Sequence, residues 1–194
     1  MKDIQALCVY CGSTESVAPV YLEAAERLGA VLADNGIRLV YGGGGIGLMG
    51  AVADGALARG GKVVGIMPEF LLEIEVGHEG VEDMIFVDSM HSRKQKMFDL
   101  ADAFIVLPGG FGTLDEAIEI LTWKQLCRHD KPVVLVNIEG YWDPLQKLID
   151  SLIDGGFARP QNADLLTTVT KVEDILSALA AAPEPMIRTV SSEI

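Results

Sequence analysis

Residues 103–126 read AFIVLPGGFGTLDEAIEILTWKQL. An apolar run, Ala103 to Leu107, stops at Pro108. Three glycines and a threonine follow, and then a pattern of helical period. Strand, glycine loop and helix in this order predict one half of a βαβ unit, with the loop at the carboxyl end of a parallel strand. Gly109, Gly110 and Gly112 let the loop curl so that backbone N–H groups face inward. Thr113 adds a hydroxyl, and a helix predicted from about Leu114 adds its positive end. Together they form a seat for a phosphate. On this loop alone the alternative, a glycine-rich turn capped by Thr113, stays open. Glu116 is placed in the first helical turn, beside whatever the loop holds, although an acid there also stabilises a helix on its own account.

The same alternation runs outward in both directions. Strands are expected at residues 6–10, 37–41, 62–67, 84–88, 103–107, 132–137 and 165–169. Helices are expected at 20–36, after the loop 42–50, and at 92–101, 114–126, 142–156 and 172–182. The strands are apolar on both faces, which predicts a parallel sheet covered by helices on both sides: an α/β, Rossmann-like, doubly wound fold. With no linker or repeat, the 194 residues read as one domain over 1–182 and a loose tail over 183–194.

Composition narrows the function. A net charge of -13 argues against nonspecific binding to DNA or anionic membranes, but leaves room for a small anion held locally. The start, MKDIQALCVYCGS, turns polar too soon for a signal peptide, so a cytoplasmic protein is expected. Cys8 and Cys11 form C-x-x-C, but their odd spacing on a strand points them to opposite faces, favouring buried thiols over redox chemistry. His78, His91 and His129 do not pair at ligand spacing, so no metal is expected.

Two further loops belong to the carboxyl edge. CGSTES, residues 11–16, offers Ser13 and neighbouring hydroxyls, for which helix capping is the favoured reading. GGGGIGLMG, residues 42–50, contains G-x-G-x-x-G as Gly45, Gly47 and Gly50. It follows the second strand and Glu69 follows a proline, so we expect a nucleotide contact there without a full dinucleotide site. Arg93 and Lys94 open a helix, the unfavourable end for cations, a cost that a nearby anionic ligand would offset.

YGGGGIGLMG (41–50), SMHSRK (89–94) and PGGFGTLDE (108–116), in this order and spacing, resemble the LONELY GUY family of cytokinin-activating enzymes, long labelled possible lysine decarboxylases. The resemblance covers nearly the whole chain. It implies a phosphoribohydrolase that splits a cytokinin nucleoside 5'-monophosphate, or AMP, into free base and ribose 5-phosphate without a cofactor. It implies Arg93 and Glu116 as the catalytic pair and Lys94 as a substrate contact. Gly109, Gly110, Phe111, Gly112 and Thr113 match the phosphate loop. Gly43 and Gly44, Glu75, Thr122 and Ser13 match further nucleotide contacts. The chain departs from the plant pattern GTLEE at Asp115, and CGSTES departs from the usual serine-rich form. Met49, Met90 and Met97 are candidates to line a pocket for a prenylated base.

The rival readings are a nucleotide-binding or molybdenum-cofactor carrier without catalysis, and a decarboxylase. A carrier needs the glycine loops but not both Arg93 and Glu116. A decarboxylase needs a lysine for pyridoxal phosphate, which Lys94, Lys96 or Lys124 would have to supply. The helix at 114–126 is apolar at Leu114, Ile118 and Leu121 and also at Ala117, Ile120 and Trp123, wider than one core stripe needs. A homodimer with the site near its interface is therefore expected.

Overall fold

The computed structural model describes residues 4–73 and 76–182. The expected nucleotide contact at Glu75 and the expected loose tail 183–194 lie outside the described residues. Seven parallel strands form one sheet: β1 Ala6–Tyr10, β2 Arg38–Tyr41, β3 Val63–Pro68, β4 Asp83–Val87, β5 Ala103–Val106, β6 Val133–Val136 and β7 Thr167–Val169. Their order is β4-β3-β2-β1-β5-β6-β7. The chain winds outward from β1 in one direction and then, from β5, in the other. The order therefore reverses between β1 and β5, and a crevice opens beyond their carboxyl ends. The main helices are α1 Pro19–Asp34, α2 Gly47–Leu57, α3 Met90–Leu100, α4 Phe111–Gln125, α5 Asp143–Asp154 and α6 Ile175–Ala181.

Alternation along the strands explains the two cores. Leu7, Val9, Leu39 and Tyr41 face α1, α2 and α6, while Ala6, Cys8, Tyr10 and Val40 face α3, α4 and α5. Cys11 lies in the first core and Cys8 in the second, on opposite faces as their spacing requires, and both are free thiols. Among the described residues, no helix is long and apolar enough to cross a membrane.

Helices α1 and α2 cross at backbone distance. A Cβ on Gly29 would lie 2.1 Å from the Val52 carbonyl oxygen, and one on Gly55 would lie 2.0 Å from that of Glu26. This contact seats α2, and with it the loop after β2, against the sheet. Gly55→Ala should therefore destabilise the fold by about 1–3 kcal/mol, because overpacking forces the two backbones apart. Urea denaturation checks this; a variant as stable as the parent would contradict it.

The elements differ from expectation mostly at their ends. The last strand is shorter because Leu165 ends a 3-10 turn, Pro160–Leu165, and the last helix is preceded by another, Val172–Asp174. Beyond α4, His129 donates from Nε2 to the Ile120 carbonyl (2.9 Å) and accepts the Lys131 N–H at Nδ1 (3.1 Å). Burial holds its imidazole below the ordinary value of 6.5, against the Ile120 bond and with help from Lys124 and Lys131. The unfolded chain therefore takes up this proton first as pH falls. Its contribution is complete above about 6.5 and is lost as pH drops from there towards the folded value. The urea midpoint should fall between pH 7 and 5.5, and more steeply than in His129→Asn. Parallel profiles would contradict this.

Candidate active site

Helix α4 starts three residues earlier than the sequence suggested. Gly110 takes the N-cap position in extended conformation (φ -95°, ψ -151°), so Phe111, Gly112 and Thr113 form the first turn. Glu116 accordingly sits in the second turn, not the first, and is buried, only 5% exposed. Helix-dipole stabilisation does not explain an acid in that position, because the effect fades beyond the first turn.

The three loops named from the sequence behave differently at the carboxyl edge. The CGSTES hydroxyls do not cap α1, whose N-cap is Ala18, without a side-chain bond, and whose first turn opens on Pro19. Ser13 and Thr14 line the crevice instead, with Cys11 and Gly12. The glycine loop 42–50 is spent mainly on structure. The Gly12 carbonyl accepts the N–H groups of Leu48 (3.0 Å) and Met49 (3.2 Å), which occupies the start of α2. Gly43 (φ 83°) packs on Met84, its carbonyl accepts the His78 N–H, and Gly44 pairs with Gly77. Neither Gly43 nor Gly44 lines the crevice, although Met49 does. At α3 the Ser89 hydroxyl accepts the Ser92 N–H, a side-chain cap. Helix α4 has no side-chain cap, and its first-turn residues Phe111, Gly112 and Thr113 line the crevice. First-turn N–H groups have no acceptor within their own helix, and such an end can receive an anion.

Arg93 lies on α3 as the fourth helical residue and is 3% exposed. A buried guanidinium needs acceptors. Its Nε donates to the Ile66 carbonyl of β3 (3.1 Å) and its Nη2 to the Gly42 carbonyl (2.8 Å). Gly42 is the permissive neighbour: a Cβ there would stand 2.1 Å from Nη2. The glycine after β2 thus makes room for the arginine, a role the sequence did not reveal because the two are far apart in the chain.

The crevice, about 430 Å³, brings Arg93 and Glu116 together with Ser13, Gly110, Phe111, Gly112 and Thr113. Gly109 lies behind: a Cβ would meet Thr113 Oγ1 at 2.1 Å and the Gly12 nitrogen at 2.8 Å. Lys94 and Thr122 do not join the lining. Lys94 is held away from the crevice by Asp115 (2.9 Å) and Glu119 (3.1 Å). Burial opposes its charge, but those two carboxylates outweigh it and the pKa is raised. Thr122 is exposed and donates to the Ile118 carbonyl (2.7 Å). Met49 and Met90 line the crevice, whereas Met97 is core. Phe70 and Leu71 complete the wall from a 3-10 turn, Glu69–Glu73, that the sequence reading did not identify; Glu69 is not part of the lining. Burial first, and then Glu116, push the Cys11 thiol far up despite Arg93, so it stays protonated and is no nucleophile. Among the described residues, no group of three His, Cys, Asp or Glu gathers as a metal site would require.

Fold and crevice define a Rossmann-like α/β protein in which an uncapped helix start, a buried arginine and a buried carboxylate line one crevice. A family model described as possible lysine decarboxylase matches residues 49–179. A cytokinin riboside 5'-monophosphate phosphoribohydrolase of Arabidopsis thaliana is 40% identical over 188 residues, covering 97% of this chain and 86% of its own. Another, LOG of Oryza sativa subsp. japonica, is 44% identical over 179 residues, covering 92% and 74%. The chain belongs to this family. A molybdenum cofactor binding protein from Rippkaea orientalis superposes with a TM-score of 0.69 over 93% of this chain and 98% of its own, at 21% identity, which establishes the shared fold alone.

Gly42→Ala tests the arginine's seat. The added methyl should displace the guanidinium and lower turnover at least about tenfold, since small misplacements in such sites are costly. Steady-state kinetics on the folded variant checks this, and unchanged turnover would contradict it.

Proposed function

We propose that the protein hydrolyses the N-glycosidic bond of a nucleoside 5'-monophosphate, a cytokinin riboside monophosphate or AMP, releasing free base and ribose 5-phosphate. The observation that carries this reading is the convergence of Arg93 from α3, Glu116 from α4 and the uncapped start of α4 on one crevice. The phosphate sits on the first-turn N–H groups of α4. Departure of the base builds positive charge on the ribose, and the Glu116 carboxylate stabilises that charge and orients the attacking water. Arg93, fixed by two carbonyls, contacts phosphate or ribose oxygens. The named activity of the relatives supports the same reaction.

Decarboxylation finds no support. Among the described residues no lysine lines the crevice, and Lys94 is committed to Asp115 and Glu119. A carrier without catalysis would not need a buried carboxylate and arginine at the anion seat. Free buried thiols at Cys8 and Cys11 suit action in the cytoplasm.

We further propose a homodimer through the outer face of α4. Ala117, Ile120 and Leu121 are buried, but Phe111 (93% exposed), Ile118 and Leu126 project outward, more apolar surface than a solvated helix carries. A monomer by light scattering at micromolar concentration, with full activity, would contradict the dimer.

Glu116→Gln keeps the shape and removes the charge. Adenine release from AMP, followed by chromatography, should fall by about 10²–10³. Near-parental turnover by a folded Glu116→Gln protein would overturn the assignment.

A further inference from the structure

Gly109, Gly110 and Gly112 give the loop after β5 its shape, but glycines carry the largest backbone entropy and do not hold a loop still. Its carbonyls are tied down one by one. Pro108 accepts from the Gly12 N–H (3.1 Å) and Gly110 from the Leu114 N–H (3.0 Å). Between them, the Gly109 carbonyl accepts from the Tyr141 hydroxyl at 2.6 Å. Tyr141 comes from the other side of β5, on the loop between β6 and α5, and is 39% exposed.

That loop is constructed to deliver this side chain. Glu139 and Gly140 both adopt left-handed conformations (φ 51° and 72°), and for Glu139 this is strained. Asn137 offsets the strain. Its side chain donates to Asp143 (2.7 Å) and accepts the Trp142 N–H (2.7 Å), closing the turn around Tyr141. The Tyr141 ring packs edge-on against Tyr21 (centroids 5.6 Å apart) and Trp142 (4.8 Å). A half-exposed tyrosine on a strained turn, aimed at one glycine carbonyl, is not explained by core packing.

We propose that Tyr141 is a positioning residue for the phosphate seat, an inference that rests on the function proposed above. The 109–110 peptide is trans, as are all those described, so its N–H lies opposite its carbonyl. Fixing the Gly109 carbonyl on Tyr141 fixes the Gly110 N–H on the opposite side of the C–N bond, and Gly110 caps the start of α4 and lines the crevice. Without the hydroxyl, this glycine–glycine peptide is free to rotate. A flip would turn a carbonyl, not an N–H, toward the anion. Tyr141 therefore acts through the loop and never touches substrate.

Tyr141→Phe removes the hydroxyl and keeps both ring contacts, so the fold should survive, as thermal melting would verify. Two quantities are compared between parent and variant: ribose 5-phosphate binding by calorimetry, and adenine as a product inhibitor of AMP hydrolysis. The affinity for ribose 5-phosphate should fall about three- to tenfold, the worth of one hydrogen bond, while the inhibition constant of adenine stays unchanged. A general structural loss would weaken both together. Equal changes in both constants, or no change in either, would overturn the role of Tyr141 while leaving the proposed function standing. A parent protein that neither binds ribose 5-phosphate nor releases adenine from AMP would overturn both.

Discussion

The peptide groups of Gly12 hold the carboxyl edge of the sheet together. The Gly12 N–H binds the Pro108 carbonyl at 3.1 Å, joining the loop after β1 to the loop after β5. Its carbonyl takes two N–H groups at the start of α2. A Cβ on Gly12 would sit 3.3 Å from the Gly109 Cα, so the two loops touch backbone to backbone. The strand order opens a crevice between β1 and β5, and this contact closes its floor. It satisfies the helix start that carries the G-x-G-x-x-G pattern and leaves the start of α4 without a side-chain cap.

On the proposed function, the division of labour between the two helix starts lets an acidic chain hold an anion. No basic surface is required. The positive groups are the first-turn N–H dipoles of α4 and one arginine, buried where low dielectric strengthens its field. The cost of burying Arg93 is met by the carbonyls of Gly42 and Ile66, and those bonds fix its direction. Lys94, its neighbour in sequence, is mostly buried and ties α3 to α4 through Asp115 and Glu119. The chain thus has an aspartate where GTLEE has a glutamate, and this aspartate still reaches the lysine.

Much of this was legible in the sequence because it depends on local pattern. Alternation gave the seven strands and the helices between them. The odd spacing of Cys8 and Cys11 gave their opposite faces. The motifs carrying Arg93 and Glu116 marked two residues that the fold brings to one crevice. Other features depend on contacts between distant segments. Gly42 reads as part of a phosphate-type loop, yet its lack of a side chain serves Arg93. Gly112 discourages a helix locally, so local pattern puts the start of α4 too late and Glu116 a turn too early. Ser13 reads as a cap because small hydroxyls usually cap, but Pro19 opens α1 several residues on. Tyr141 carries no motif; only its hydroxyl's distance from Gly109 singles it out.

On the proposed function, the start of α4 grips a 5'-phosphate far from the bond that breaks, and this grip positions the ribose against Glu116. Binding energy used in that way appears in turnover as well as in affinity. The direct measurement is the maximal rate of adenine release from AMP and from adenosine, each at saturating concentration. Turnover of adenosine should remain far below that of AMP however much is added. Equal maximal rates would show that the glycine loop is only a turn and that the phosphate has no part in positioning the substrate.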